Sequence, residues 1–227
     1  RKGIYLLPNL LTTGALFAGF YAVLSGFTGQ FELAAIAIFA AMIFDGLDGR
    51  VARMTNTQSD FGVQYDSLSD MVSFGVAPAV VAYGWGVSDL GKLGLAAAFV
   101  YASCAALRLA RFNVQAESSD GKVFTGLPSP AAAALVAGFV WSTYELAPSV
   151  ALSVLGAVLT AAAGLLMVSN FKYPSFKEVD LRGKVPFIVI LSVVMGFVVI
   201  TIDPPRILFM LAVFFSFSAP LIWLAKK

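Results

Sequence analysis

Histidine is missing altogether from these 227 residues. Its absence excludes any covalent intermediate carried on imidazole. Cysteine appears once, as Cys104, so no disulfide can close within the chain, and cysteine usage carries no mark of an oxidising compartment. Cys104 itself reads as a small buried helix residue. Charge is scarce too: 12% of residues are Asp, Glu, Lys or Arg, with a net charge of +2. No nucleic-acid partner is expected. What fills the chain instead is apolar, 59% hydrophobic, above the usual share for a soluble domain.

The apolar residues are gathered into runs. A bilayer core of about 30 Å needs about 20 helical residues. Eight segments meet or approach that length: about 4–27, 31–54, 66–87, 92–112, 127–147, 149–170, 186–202 and 205–225. The first is too long for the apolar core of a cleavable signal and is expected to remain as a membrane helix. Gly, Pro or charge marks the breaks, and neighbours so closely joined must be antiparallel. The expected fold is all-α: a polytopic transmembrane bundle of about eight helices forming one domain over residues 1–227. With the N-terminus inside, Arg1, Lys2, Arg50, Arg53, Arg108, Arg111, Lys122, Lys172, Lys177, Arg182, Lys184, Lys226 and Lys227 fall on the cytoplasmic side. Only Lys92 and Arg206 fall outside, so thirteen cations stand against two. Both termini are then cytoplasmic. This orientation depends on a helix break at Pro148, since one long kinked helix there would reverse everything after it. Small-residue stretches such as Ala131 to Ala134 and Ala161 to Gly164 read as close helix packing.

Against that apolar background stand four aspartates. Asp45 and Asp48 are three residues apart and share one helix face; Asp66 and Asp70 are four apart and share another. Carboxylates are costly near hydrocarbon, and an intramembrane cluster of them is a functional site by default. Two antiparallel helices with these faces opposed aim four carboxylates at one point. Their mutual repulsion at low dielectric calls for cations between them. All-oxygen ligation suits Mg2+, Mn2+ or Ca2+ rather than zinc or copper.

These residues form the pattern D-x2-D-G-x2-A-R-x8-G-x3-D-x3-D, filled by Asp45, Asp48, Gly49, Ala52, Arg53, Gly62, Asp66 and Asp70. The pattern resembles the signature of the CDP-alcohol phosphotransferases, and eight matched positions over 26 residues make it highly specific. Leu7 to Thr12, Arg108 to Val114 and Phe124 to Ala131 are further similar to membrane-embedded phosphatidylserine synthases of bacteria and archaea. The resemblance implies transfer of a phosphatidyl group from CDP-diacylglycerol to L-serine, giving phosphatidylserine and CMP by one direct displacement. It implies two divalent cations, Mg2+ or Mn2+ with Ca2+ as another occupant, a homodimer, and a multi-pass enzyme of the cell membrane whose site faces the cytoplasm. The missing histidines rule out a phosphatidyl-histidine route.

By the same resemblance Asp45, Asp48, Asp66 and Asp70 hold the metals, and Asp70 also serves as base for the alcohol. Asn9, Thr12, Gly49, Ala52, Arg53 and Gly62 line the CDP-diacylglycerol pocket. For Asn9 a helix cap after Pro8 is an equal alternative. Arg53 could bind the pyrophosphate or hold an aspartate; Arg50 reads as interfacial. Gly46 reads first as a packing glycine. Arg108 and Arg111, three apart near the cytoplasmic end of their helix, with Asn113 following, are the candidates for capturing serine, because Arg grips a carboxylate with paired donors. The segment from Lys172 to Lys184 could close over the headgroup or bind anionic lipid. Two rivals stay open: the same chemistry on another alcohol such as glycerol 3-phosphate or inositol phosphate, and a cation transporter using intramembrane aspartates.

Overall fold

A computed structural model describes residues 6–55, 57–115, 123–146, 149–174 and 187–225. Helix α1 (Leu6–Phe27) turns through Gly29, whose φ of 75° suits glycine, into α2 (Phe31–Thr55). A continuous rod follows: α3 (Asp60–Asp70), a π-helical turn (Met71–Val76) and α4 (Ala77–Trp85). A short 3-10 turn (Val87–Leu90) leads to α5 (Lys92–Gln115). Then come strand β1 (Val123–Thr125), α6 (Ser129–Thr143), α7 (Val150–Val168), strand β2 (Lys172–Pro174), α8 (Phe187–Ile202) and α9 (Pro204–Ala225). Counting the α3–π–α4 rod once, the described chain has the eight helices expected.

Several boundaries differ from the sequence reading. The third rod starts at Asp60, not near residue 66, because Ser59 caps it: its Oγ accepts the Gly62 N–H at 3.0 Å. The mostly polar stretch 57–65 hides that start from a hydropathy argument. Helix α1 already begins at Leu6, so Asn9 lies inside its first turns and is not a cap. Pro148 lies outside the described residues, but α6 and α7 are separate helices on either side of it. At 15 residues, α6 is only about 22 Å long, short of a full bilayer crossing. The β1–β2 ladder, pairing Phe124 with Tyr173 antiparallel, was not foreseen. Strands of three residues leave no readable alternation.

Among the described residues, four helices are long and apolar enough to cross a membrane: Leu7–Phe27, Lys92–Val114, Val150–Val168 and Pro204–Ala225. In α2, Glu32 near one end and Asp45, Asp48, Arg50 and Arg53 towards the other leave only Leu33–Phe44 free of charge, short of a bilayer crossing.

Small residues set the interhelical distances. A Cβ on Gly164 would lie 2.8 Å from Tyr101 Cα, and one on Gly138 3.1 Å from Phe209 Cα. Ala132 and Ala133 are fully buried, as expected for packing positions. Gly46 is different: a Cβ there would meet nothing within 4 Å, so it is no packing glycine. A very close crossing joins α1 to the π turn, where a Cβ on Gly19 would sit 2.6 Å from the Ser73 Cα. Two hydroxyls stitch the same seam. Ser69 Oγ donates to the Thr12 carbonyl at 3.2 Å and Ser73 Oγ to the Ala15 carbonyl at 3.0 Å.

At the end of the bundle carrying β1 and β2, Tyr173 donates its hydroxyl to the Ser216 carbonyl at 2.7 Å, docking the ladder on α9. Burial pushes this phenol up to about 12, so it remains a neutral donor at physiological pH.

The Gly19 contact yields a test. Gly19→Ala forces α1 away from the π turn, and overpacking of this kind costs about 1–3 kcal/mol. A lowered unfolding midpoint in detergent is expected, whereas Gly46→Ala, inside α2 with open space around it, should leave the midpoint unchanged or raise it.

Candidate active site

The four aspartates converge as the spacing argument requires. Asp45 and Asp48 face inward from the second half of α2; Asp66 and Asp70 from α3. Carboxylate oxygens of Asp45, Asp48 and Asp66 lie within 4.8 Å of one another. Asp70 joins them, with Asp45, Asp66 and Asp48 as its acidic neighbours. Asp45 precedes Asp48 on α2, and Asp70 follows Asp66 on α3, so this pair sits one turn deeper in the bundle.

Thr12 holds the arrangement from the third side. Its hydroxyl donates to Asp48 Oδ2 at 2.6 Å, while its own backbone carbonyl accepts from Ser69, next to Asp70. Both Thr12 and Asp48 are buried. One residue of α1 thus contacts both aspartate-bearing helices.

Above the carboxylates opens a cavity of about 310 Å3. Asp48 and Asp66 form part of its wall, with Asn9, Thr12, Gly49, Ala52, Arg53 and Gly62. All six residues expected to line a nucleotide pocket therefore share one space. Gly62 stands 3.8 Å from Asn9 Oδ1 at the position a Cβ would take, so any side chain there would narrow the cavity. Arg53 is exposed, its Nη1 beside Gly49, and it forms no salt bridge among the described residues. The cavity is acidic at the base and cationic at the rim. Pro8, Thr57, Gln58, Ser59 and Val63 also line it and were missed. Ser59 could have been found from its capping position; Thr57 and Gln58 are placed by the turn that joins α2 to α3, and Pro8 and Val63 by the packing of α1 against α3.

The donor set fits hard divalent ions. Three close carboxylates, with a fourth in contact, supply oxygen only, and no imidazole or thiolate lies in the cluster.

The residues expected to capture serine sit at the same end of the bundle but outside this cavity. Arg108 is buried, and its Nη1 donates to the carbonyls of Thr125 at 3.0 Å and Met167 at 3.2 Å. It therefore ties α5 to the entry of α6 and the end of α7. Gly126 makes this possible: its φ is 81°, and a Cβ there would collide with the Met167 carbonyl. Arg111 is exposed and donates to Asn170 Oδ1 at 3.3 Å. Asn113 accepts from Ser67 Oγ at 3.1 Å and donates to Gln64 at 3.4 Å, which sets it against α3 beside Asp66. Of the segment from Lys172 to Lys184, residues 175–184 lie outside the described residues.

A family model for CDP-alcohol phosphatidyltransferase matches residues 5–169, from α1 through α7 and with the whole site. The chain belongs to that family. Proteins named CDP-diacylglycerol–serine O-phosphatidyltransferase from Helicobacter pylori and Methanocaldococcus jannaschii are 40% and 41% identical to it, over 198 and 175 residues. Those alignments cover 86% and 77% of this chain and 83% and 77% of the relatives. An archaetidylserine synthase from Methanothermobacter thermautotrophicus is 37% identical over 170 residues, 74% of this chain and 69% of its own. Among solved structures, the apo phosphatidylinositol phosphate synthase of Mycobacterium tuberculosis superposes with a TM-score of 0.51 at 20% identity. It covers 72% of this chain and 84% of that one, a likeness of fold.

For this phosphatidyltransferase, Thr12→Val keeps the side-chain shape and deletes the bond to Asp48. Hydrogen bonds to charged groups contribute about 1.5–3 kcal/mol. Transferase activity should fall roughly tenfold to a hundredfold if that loss is felt in the transition state, while Thr12→Ser should retain most of it. Equal rates for both variants and the parent would remove Thr12 from the site's support.

Proposed function

We infer that this enzyme transfers the phosphatidyl group of CDP-diacylglycerol to L-serine, forming phosphatidylserine and releasing CMP. The observation that carries the reading is the single cavity lined by the motif residues and based on converging carboxylates. The serine-specific names of relatives at about 40% identity support the acceptor. The enzyme works as a homodimer in the cell membrane, with its site towards the cytoplasm.

Asp45, Asp48 and Asp66 would hold two divalent ions, Mg2+ or Mn2+, with Asp70 completing the set. Bound there, such ions neutralise the diphosphate and stabilise the departing CMP. Arg53 at the rim pairs with donor phosphate oxygens, and Asn9, Gly49, Ala52 and Gly62 leave a space for the cytidine end. Thr12 keeps Asp48 in place. Asp70 accepts the proton of the serine hydroxyl as its oxygen bonds to phosphorus and the bond from phosphorus to the CMP oxygen breaks. Most of the catalysis is positioning and charge stabilisation. Serine is captured on the α5 side, where Asn113 adjoins α3 and Arg111 offers an exposed guanidinium. Arg108, engaged with two carbonyls, shapes the wall behind them and adds its charge.

Metal removal tests the base of this scheme. A chelator should abolish CMP formation, and Mg2+ or Mn2+ should restore it. Asp45→Asn, Asp48→Asn and Asp66→Asn should each be inactive; turnover by any one would exclude that residue as a ligand. CMP release from CDP-diacylglycerol should require serine, and rapid serine-independent exchange of CMP would overturn direct displacement.

The serine side is tested separately. A hydrogen bond to a charged group contributes about 1.5–3 kcal/mol. Arg111→Ala should therefore raise the serine KM by more than tenfold while CDP-diacylglycerol binding changes little. Arg108→Ala should also lower thermal stability, because the buried Met167 carbonyl and the half-buried Thr125 carbonyl lose their donor. Unchanged serine kinetics in both variants would move the capture site elsewhere.

A further inference from the structure

Asp70 ends α3, and the chain immediately enters the π turn Met71–Val76. In that turn the Ala77 N–H reaches back to the Val72 carbonyl, five residues away. Such a turn inserts a residue relative to an α-helix and is found frequently at functional sites. Its continuation is blocked by Pro78, which has no N–H to offer. In an α-helical register the Phe74 carbonyl would look to residue 78 for a donor, and Pro78 has none to give. Tyr101 supplies one: its hydroxyl donates to Phe74 O at 2.8 Å from a fully buried position on α5. The ring cannot back away, because Gly164 of α7 is pressed against the Tyr101 backbone.

We propose that Tyr101 is a positioning residue for the aspartate site: by carrying the Phe74 carbonyl it holds the π turn that fixes the rotation of Asp66 and Asp70 against Asp45 and Asp48. The α4 side of the turn is clamped. A Cβ on Gly84 would lie 3.2 Å from the Gly26 carbonyl, and one on Gly26 3.0 Å from Val81 Cγ2. The α3 side begins at a more exposed end. Relaxation of the π turn to an α turn would rotate α3 against the Thr12 and Asn113 contacts that hold it. One residue of register is a rotation of about 100° and a shift of about 1.5 Å. Ser69 and Ser73, bonded to α1, hold the neighbouring face of the same segment. Tyr101 touches neither substrate nor metal in this scheme; it acts through the backbone.

The inference rests on the reading of the aspartates as metal ligands, and the test has one arm that does not. Tyr101→Phe keeps the ring and deletes the hydroxyl. Tyr173→Phe is the matched control, since it also deletes a buried hydroxyl-to-carbonyl bond, to Ser216, away from the aspartates. Both purified full-length variants are compared with the parent by Mn2+ binding in electron paramagnetic resonance and by amide hydrogen exchange over residues 60–85. Tyr101→Phe should weaken Mn2+ binding several-fold and speed exchange across Asp66–Val76, with the metal requirement of turnover rising in step. Tyr173→Phe should change neither, even at equal loss of thermal stability. Unaltered exchange in Tyr101→Phe, or equal effects in both variants, overturns the proposal. Altered exchange with no Mn2+ binding even in the parent would uphold the support of the turn by Tyr101 and instead refute the metal reading of the site.

Discussion

Four carboxylates brought together inside an apolar bundle repel one another, and everything around them answers that repulsion. The helices bearing them cannot be left to find their own spacing. Thr12 meets the Asp48 carboxylate with its hydroxyl and the Ser69 side chain with its carbonyl, so α1 becomes the spacer between α2 and α3. Gly19 lets that spacer come close enough for the Ser73 hydroxyl to reach a second carbonyl. The cluster is thus tolerated because hydrogen bonds fix its geometry and because divalent cations would supply the missing charge.

The polarity of the site runs along the bundle axis. Asp45 and Asp70 lie deepest, Asp48 and Asp66 one turn higher in the cavity wall, and Arg53 at the rim. A diphosphate with a lipid on one side and a nucleotide on the other matches that gradient: anionic oxygens can meet cations held at the base and the guanidinium above. A transporter site has no need of an adjoining cavity with a cationic rim, and membership of a phosphatidyltransferase family removes that rival.

Arginine plays two different parts in this fold. Arg111 and Arg53 are exposed. Arg108 is buried against two main-chain carbonyls and braces the loop at Gly126. Positive residues at one end of a membrane bundle look alike in sequence, yet burial makes one of them a strut and leaves the others open to ligands. The α5 helix accordingly couples the two halves of the site, with Arg108 towards α6 and α7, Asn113 towards α3, and Tyr101 under the π turn.

By itself the sequence determined the helical, membrane-embedded class and the aspartate pairing. Each of these depends on local periodicity: apolar runs of helical length, and carboxylates three and four residues apart on one face. The Asp motif needed no knowledge of the rest of the chain. Tertiary structure alone decided the start of α3, the β1–β2 ladder, the open space around Gly46 and the partners of Thr12, Tyr101 and Arg108. Those bonds join residues 36, 27 and up to 59 positions apart. No periodicity links such distant positions, and only the docking of complete helices brings a hydroxyl or guanidinium to a carbonyl or carboxylate that lacks a partner.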